Sequence, residues 1–250
     1  MSGHSKWATT KHRKAAVDAK RSKIFTKLGK EITVAAKMGG GDTETNPRLR
    51  LAVIKARSSN MPMDNIQRAI QKGTGELPGV VYEEIVYEGY GPGGVAVLID
   101  VATDNRNRTV GEIRHILGKH GGKMGETGCV GWMFHRKGVI TVPAEGRSED
   151  QMMEIALSAG AEDLQNLEDS FQIVTDPADF ETVLDAIKAA GIAPSGAEVQ
   201  RMPDNQVQIE SKDAANMIKI MDLLEDHDDV QSVAANFDMS DEVLAQVMGG

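Results

Sequence analysis

The spacing of hydrophobic residues changes near Gly75, and this change limits the folds that the chain can adopt. Before Gly75, apolar residues recur three or four positions apart, as Ile24, Leu28 and Ile32 do, which places them on one face of an α-helix. After Gly75, short β-branched and aromatic runs bounded by glycine alternate with further helical stretches, which is typical of strands mixed with helices. The sequence therefore predicts a helical domain followed by α+β structure.

Three helices are predicted in the first part of the chain, preceded by a basic arm or an additional helix in residues 1–21. The first helix runs roughly over residues 22–38. The second begins at Asn46-Pro47, where the asparagine side chain can cap the helix and proline fits its first turn. The third covers residues 62–72, and Gly73 is predicted to be its C-terminal cap.

Strand and turn patterns follow the helices. Residues 82–88 and 95–102 are predicted to form two strands, and residues 130–134 a further one. The joint between the first two, GYGPGG at residues 89–94, matches the GxGxxG pattern of dinucleotide-binding sites. That motif must open a helix, whereas the β-rich run VAVLIDVA follows here, so a hairpin loop is favoured over a nucleotide site.

The order of the predicted elements sets the domain organisation. Residues 138–202 give the ferredoxin-like pattern βαββαβ, with Asp176-Pro177 starting its second helix. Residues 80–136 give only ββαβ, and the helix and strand of residues 211–237 would complete that sheet. We therefore expect an α+β multidomain protein, with an N-terminal three-helix domain followed by two ferredoxin-like α+β domains, the last inserted into the middle one. The predicted bounds are 1–78 for the basic helical domain, 79–137 plus 205–240 for the middle domain, 138–204 for the inserted domain and 241–250 for a C-terminal tail.

Charge divides the chain at nearly the same position as the hydrophobic pattern. Residues 1–72 contain 16 lysines and arginines and 5 acidic residues, a net charge of +11 in a chain whose net charge is −9. Residues 73–250 contain the other 12 basic and 32 acidic residues, a net charge of −20. Because exposed charges are screened over about 10 Å at 0.1 M salt, the basic region can act as a local cationic surface.

The composition argues against several classes of function. A single cysteine, Cys129, excludes an internal disulfide framework, and the six histidines show no HExxH spacing, so no metal site is predicted. No stretch approaches the roughly 18 apolar residues of a membrane-spanning helix, and no secretory signal is recognised. No nucleophile, base or metal ligand set announces a catalytic pocket. We expect a cytoplasmic protein that is not an enzyme, with no cofactor, no membrane partner and no small-molecule substrate.

The basic N-terminal residues are the main candidates for binding a phosphate backbone, because lysine and arginine neutralise phosphates and an interleaved tryptophan can stack or wedge. The candidate nucleic-acid-binding residues of this segment are Lys6, Trp7, Lys11, Arg13, Lys14, Lys20, Arg21, Lys23 and Lys27. The alternative is a solvated cationic face, or a segment that straps onto the chain's own acidic domains.

A second candidate is the segment TDNRNRT at residues 103–109. Arg106 and Arg108 at the start of a helix would present guanidinium groups and free backbone N–H groups to an anion such as phosphate. A purely structural interpretation is equally favoured, because Thr109 and Glu112 have the spacing of a capping box.

Several long and unusual motifs resemble those of the YebC family, whose members include the mitochondrial translational activator of cytochrome oxidase. The resemblance is carried by GHSKW at residues 3–7, KAAVDAKRSKIFTKLGKEI at 14–32, AAKMGGGDTETNPRLR at 35–50, NMPMDNIQRAIQKGTG at 60–75, YEGYGPGGVAV at 87–97 and TDNRNRT at 103–109. It extends over nearly the whole chain.

The resemblance implies three domains and a cytoplasmic regulator of gene expression whose N-terminal lysines and arginines contact nucleic acid, with no catalytic residue. Some family members are labelled probable transcriptional regulators that bind DNA, and others are similar to ribosome-associated factors that relieve stalling on proline-rich stretches. DNA and ribosomal RNA therefore both stay open as partners, with the ribosome itself a possible one. Two further interpretations are a protein-interaction scaffold, whose basic arm docks an acidic protein, and a mitochondrial presequence at the N-terminus. Against the presequence, the apolar stripe continues into the helical domain.

Overall fold

The computed structural model describes residues 17–167 and 169–249, and for residues 17–21, 241, 248 and 249 it describes the backbone alone. Within that part of the chain there are eight α-helices and ten strands. The helices are α1 (Val17–Gly39), α2 (Pro47–Ser58), α3 (Met63–Thr74), α4 (Arg106–Lys119), α5 (Glu149–Ser158), α6 (Phe180–Ala189), α7 (Ser211–Asp226) and α8 (Asp241–Gly249). The strands are β1 (Glu83–Tyr90), β2 (Ala96–Thr103), β3 (Lys123–Met124), β4 (Phe134–Pro143), β5 (Asp163–Asn166), β6 (Ser170–Thr175), β7 (Gly196–Pro203), β8 (Val207–Gln208), β9 (Val230–Ala235) and β10 (Phe237–Asp238).

Helices α1, α2 and α3 pack around one apolar core, as the spacing of their hydrophobic residues predicts. Ile32, Leu49 and Ile66, one from each helix, are almost fully buried in it. Asn46 caps α2, because its side-chain oxygen accepts a hydrogen bond from the Leu49 N–H group at 3.1 Å. Its amide nitrogen also donates to the Ala35 carbonyl of α1, so this one residue joins two helices.

The end of α3 differs from its prediction. Gly73 is not the C-terminal cap, because the helix continues to Thr74 and ends at Gly75, whose φ of 84° is the left-handed conformation that glycine adopts easily. Gly73 instead lies where α3 crosses α1, and a Cβ atom at this position would collide with the Thr33 carbonyl oxygen. The glycine is therefore explained by the close approach of two helices.

The first sheet is antiparallel, with the strand order β3-β1-β2-β9. A short 3₁₀ turn at Pro92–Gly94 joins β1 to β2, so GYGPGG is a hairpin connection, as predicted. Helices α4 and α7 pack on one face of this sheet, where Ile99, Leu117 and Met221 are buried together. Strand β9 follows the second sheet in sequence, yet it pairs with β2 along Val97 to Val101.

The predicted strand over residues 130–134 is wrong. Residues Gly131–Met133 form a 3₁₀ turn, and the strand that follows begins at Phe134 and belongs to the second sheet. The reason is a side chain: the buried Glu88 carboxylate accepts hydrogen bonds from the N–H groups of Gly128, Val130 and Gly131. Backbone groups engaged in this way cannot pair with a neighbouring strand.

The second sheet has the strand order β5-β6-β4-β7 and is antiparallel throughout, with α5 and α6 packed on one face. The order of elements along the chain is βαββαβ, as predicted. One boundary is wrong, because α6 begins at Phe180 and not at Asp176-Pro177. Asp176 instead accepts a hydrogen bond from the Ala178 N–H group, which makes a turn that leads into the helix.

Two short strands, β8 and β10, pair in parallel beside the first sheet. Among residues 17–167 and 169–249, no helix is both long and apolar enough to cross a lipid bilayer. The architecture is therefore mixed α+β, with a helical N-terminal part and two four-stranded sheets.

Candidate nucleic-acid interface

Helix α1 carries its lysines on one face, and this face contacts an acidic segment near the C-terminus. Lys23, Lys27 and Lys30 are spaced by four and three residues, so they lie along one stripe of the helix. The segment that they contact, residues 225–229, is called the acidic loop below; it has the sequence EDHDD. The Lys23 ammonium lies 2.6 Å from the Asp226 carboxylate, and Lys27 donates to the Glu225 carbonyl oxygen.

The buried centre of this contact is Asp229. Its carboxylate accepts hydrogen bonds from Lys30 at 2.5 Å, Arg108 at 2.7 Å and Thr109 at 2.7 Å, and one from Thr103 at 3.1 Å. The Asp229 and Lys30 side chains are only 5% and 9% exposed. Burial alone would raise the pKa of Asp229, but the hydrogen bonds from Lys30, Arg108 and Thr109 outweigh it and hold this pKa well below its usual range.

Lys27 is half-buried, and it lies on α1 between the more exposed Lys23 and the buried Lys30. Burial of its ammonium group lowers the pKa of Lys27 to about 8, although the neighbouring Glu225 and Asp226 charges act in the opposite direction. The described lysines of the predicted binding segment thus contact the chain's own acidic loop, which is the arrangement that the strap alternative expects.

The two arginines of the TDNRNRT segment have different surroundings. Arg108 bridges the Asp104 and Asp229 carboxylates, at 2.9 and 2.7 Å, and these hydrogen bonds raise its pKa further. Arg106 is 64% exposed, and its nearest carboxylate, that of Glu83, is 3.8 Å away. Of the two, only Arg106 has more than half of its side chain exposed to solvent.

The predicted capping box of this segment is wrong. Helix α4 begins at Arg106, and Asn105 caps it by accepting a hydrogen bond from the Arg108 N–H group. Thr109 lies one turn inside the helix, where its hydroxyl group donates to the Asp229 carboxylate. Thr109 and Glu112 do have the spacing of a capping box, but Asn105, four residues before Thr109, occupies the cap position.

Three motifs that are distant in sequence meet at one cleft of about 810 Å³. Its walls come from α1, the start of α4 and the acidic loop, and both signs of charge line it, with Lys23 and Arg108 opposite Asp226 and Asp228. Among residues 17–167 and 169–249, no group of histidine, cysteine and acidic side chains has the arrangement of a metal site. The cleft is therefore an ion-paired junction between the helical part and the first sheet.

Other cations of the helical part also contact acidic residues elsewhere in the chain. Arg48 pairs with both Glu31 and Glu84, and Arg50 pairs with Glu181 of α6. Lys55 pairs with Glu198 of β7 at 2.6 Å. These pairs hold the helices against both sheets.

Four cations of the helical part stay exposed, and in the described portion of the chain none of them forms an ion pair. They are Lys37 at the end of α1, Arg57 on α2, and Arg68 and Lys72 on α3. Sequence reasoning missed all four, as it missed the buried Lys30. For the last three, the signal is their position outside the apolar spacing of α2 and α3, because such positions face solvent.

The remaining predicted residues cannot be placed from side-chain contacts. Lys6, Trp7, Lys11, Arg13 and Lys14 lie outside the described residues. Lys20 and Arg21 lie in the first turns of α1, where the backbone alone is described.

Two family models match the chain. One, described as the TACO1/YebC protein N-terminal domain, matches residues 5–76, and the other, described as the TACO1/YebC second and third domain, matches residues 82–237. The chain belongs to the TACO1/YebC family. The family resemblance of its sequence motifs is thereby confirmed.

Curated relatives of this TACO1/YebC chain match it over nearly its full length. A protein of Desulforapulum autotrophicum is 58% identical over 243 residues, which cover 97% of this chain and 98% of that protein. A protein of Geobacter sulfurreducens is 57% identical over 248 residues, which cover 99% of this chain and all of that protein. Both are named probable transcriptional regulatory protein.

A solved structure has the same fold as this TACO1/YebC chain. The crystal structure of a conserved hypothetical protein from Aquifex aeolicus aligns with a TM-score of 0.83 and 48% sequence identity. The alignment covers 92% of this chain and 96% of that one. The mixed α+β architecture is thus shared with an experimentally determined relative.

Proposed function

We propose that this chain is a non-enzymatic regulator of gene expression that acts in the cytoplasm and binds nucleic acid through its basic helical domain. The names of its relatives support the regulatory role. The observation that carries the binding role is the net charge of +11 in residues 1–72, in a region where Lys37, Arg57, Arg68 and Lys72 are exposed and unpaired among the described residues. Cations that no carboxylate neutralises are the ones that attract phosphate most strongly.

The lysines of α1 contribute unequally to this proposed surface. Lys23 and Asp226 are 43% and 61% exposed, and exposed pairs of this kind contribute about 0.2–1 kcal/mol, so a phosphate can replace the carboxylate at little cost. Lys30 is buried against Asp229 and serves the fold. We therefore assign phosphate contact to Lys23 and the exposed cations, together with the predicted N-terminal residues.

The domain division follows the sequence prediction. We propose a helical domain over 1–78, a middle domain over 79–137 with 205–240, an inserted domain over 138–204 and a tail over 241–250. The pairing of β9 with β2 supports this division, because β9 returns to the first sheet after the whole second sheet has been completed. The net negative charge of residues 73–250 makes the basic helical domain the main approach for nucleic acid.

The identity of the nucleic acid separates two versions of this proposal. DNA fits the printed names of the relatives. Structured RNA, such as ribosomal RNA in a translation factor, fits the absence of a recognised helix-turn-helix pattern in the sequence. In either version the helical domain contacts the backbone.

A charge-reversal experiment tests the proposed surface. The triple variant Arg57→Glu, Arg68→Glu, Lys72→Glu removes three exposed cations that form no ion pair with any described residue. We expect binding of a labelled DNA or RNA duplex to weaken strongly. The log–log salt dependence should become shallower by about 0.9 for each phosphate that the variant no longer neutralises. Circular dichroism checks that the fold is retained.

A matched control makes the same change of charge elsewhere. The variant Lys188→Glu, Lys212→Glu, Lys219→Glu reverses three exposed cations on α6 and α7. If both variants weakened nucleic-acid binding equally, net charge alone would explain the effect, which would contradict the assignment of the binding surface to the helical domain. Unchanged binding in the first variant would also contradict it.

A different measurement distinguishes a nucleic-acid-binding regulator from a protein-interaction scaffold. If nucleic acid is the partner, co-sedimentation of the chain with ribosomes is lost after nuclease treatment. Retention after nuclease treatment would instead favour an acidic protein partner.

A further inference from the structure

A second basic segment lies inside the acidic two-thirds of the chain. Residues 106–137 contain seven lysines and arginines and only two acidic residues, although residues 73–250 as a whole carry a net charge of −20. Arg114, Lys119, Lys123 and Arg136 of this segment are exposed, and none of them forms an ion pair with any described residue. The proposed helical surface does not account for this charge.

An exposed tryptophan stands in the middle of this segment. The Trp132 side chain is 66% exposed, which is unusual for the largest apolar side chain, and it lies in the 3₁₀ turn between the first and second sheets. Its indole N–H group donates a hydrogen bond to the Cys129 carbonyl oxygen at 3.3 Å. The Tyr90 hydroxyl group donates to the same oxygen at 3.3 Å, so the two aromatic side chains are neighbours.

A cation lies beside this aromatic pair. The Lys123 ammonium is 5.9 Å from the centroid of the Tyr90 ring, and strand pairing places Lys123 directly opposite Tyr90. A nucleotide that stacked its base on Trp132 would therefore find a positive charge near its phosphate.

The turn that carries Trp132 is held in place by a buried carboxylate. Glu88 is 7% exposed and accepts hydrogen bonds from the N–H groups of Gly128, Val130 and Gly131 at 2.6, 2.7 and 2.6 Å. Because these bonds already order the turn, little conformational entropy remains to be lost when a ligand binds to it. The ordered turn thus presents an aromatic face to solvent beside a cation, and bases stack on aromatic faces of this kind.

We propose that Trp132 is a stacking platform for an unpaired nucleobase of single-stranded RNA or DNA, with Lys123 contacting a neighbouring phosphate. The inference rests on the proposed nucleic-acid function and adds the class of ligand. A duplex covers both faces of its internal bases by stacking, so an exposed indole takes a base from an unstacked strand. The cations that flank Trp132 favour such a polyanionic strand over an apolar protein segment.

The tryptophan content allows a direct optical test, because Trp7 and Trp132 are the only tryptophans of the chain. The variant Trp7→Phe leaves Trp132 as the single reporter, and Trp132→Phe leaves Trp7. Both are titrated with oligouridylate and oligothymidylate of about 12 nucleotides, within the usual length bound by such surfaces, and with a duplex of equal length. Tryptophan emission reports stacking, and the anisotropy of a labelled strand reports affinity.

We expect single strands to quench emission in the Trp7→Phe variant, whereas the duplex leaves it unchanged. Trp132→Ala should weaken single-strand binding roughly 5- to 150-fold, and Trp132→Phe should recover most of the loss because it restores an aromatic face. If oligouridylate and oligothymidylate both quench the emission, the contact involves the base and the phosphate. If oligouridylate alone quenches it, the contact also involves the 2′-hydroxyl group. Either result supports the platform.

Two outcomes would overturn the inference, and they are distinguishable. If single strands bind but neither the emission of Trp132 nor the affinity of Trp132→Ala changes, the platform is wrong and the proposed function stands. If neither single strands nor duplexes bind to the wild-type chain, the proposed function fails and the platform with it.

Discussion

Replacement of Asp229 by asparagine should loosen the helical domain from the first sheet. The side chain keeps its shape, but the charge that neutralises Lys30 and Arg108 disappears. Because the Lys30 side chain is only 9% exposed, its ammonium group would remain buried without a counter-charge. Removal of one partner of a buried ion pair costs about 3–5 kcal/mol, and we expect Asp229→Asn to lower the free energy of unfolding by this amount.

A second aspartate of the same acidic loop supplies the control. Asp226 pairs with Lys23 on the same helix, but its side chain is 61% exposed, so Asp226→Asn should cost no more than about 1 kcal/mol. Adding Lys30→Met to Asp229→Asn should recover part of the loss, because the unpaired buried charge is then gone. Such coupling distinguishes a buried pair from two independent contributions.

The assay is urea unfolding followed by circular dichroism, evaluated on the first transition because a multidomain chain need not unfold in one step. The pH supplies a second readout. Since the pKa of Asp229 is depressed in the folded state, its stabilisation is complete above its unfolded pKa of about 3.9 and is lost as the pH falls toward the lower folded value. The reasoning would be refuted if Asp229→Asn and Asp226→Asn lowered the free energy of unfolding by the same small amount, and if the effects of Asp229→Asn and Lys30→Met simply added in the double variant.

Three further substitutions test the packing and the electrostatics. Gly73→Ala should destabilise the helical domain by about 1–3 kcal/mol, because its methyl group would collide with the Thr33 carbonyl oxygen. Gly111→Ala, which lies in open space on α4, should instead stabilise the protein by up to about 1 kcal/mol. Thermal unfolding compares the two variants. Asn46→Ala should cost about 2 kcal/mol in the same assay, since it removes a helix cap and two bonds to carbonyl groups. Because burial lowers the pKa of Lys27 to about 8, the free energy of unfolding should rise between pH 8 and the pKa of about 10.4 that Lys27 has in the unfolded chain. Lys27→Met should abolish that rise in urea unfolding measured across this pH range. If the rise survives the substitution, it belongs to other groups.

The elements were predictable where local signals agree with packing. The Asn46-Pro47 cap and the apolar spacing of α1 to α3 fix those helices. The error at residues 130–134 lies where a distant group binds the backbone. Glu88, about forty residues away in sequence, binds the turn around Val130 and prevents a strand there.

The candidate site was harder to predict than the fold because its contacts join distant residues. The charge pattern identified the basic helix, yet nothing near Lys30 shows that its partner is Asp229, 199 residues further along. Lys23 was selected for phosphate contact, and the structure adds the carboxylate that such a phosphate would displace. Trp132 was missed because the predicted strand gave it no separate role.

Cross-linking in cells tests the central claim most directly. Ultraviolet irradiation joins bound nucleic acid to the residues that touch it, and mass spectrometry then identifies the attached peptides while sequencing identifies the DNA or RNA. We predict attached peptides from residues 1–72, together with a peptide that contains Trp132. A chain that carries no nucleic acid, or whose attached peptides all come from residues 138–204, would contradict the account.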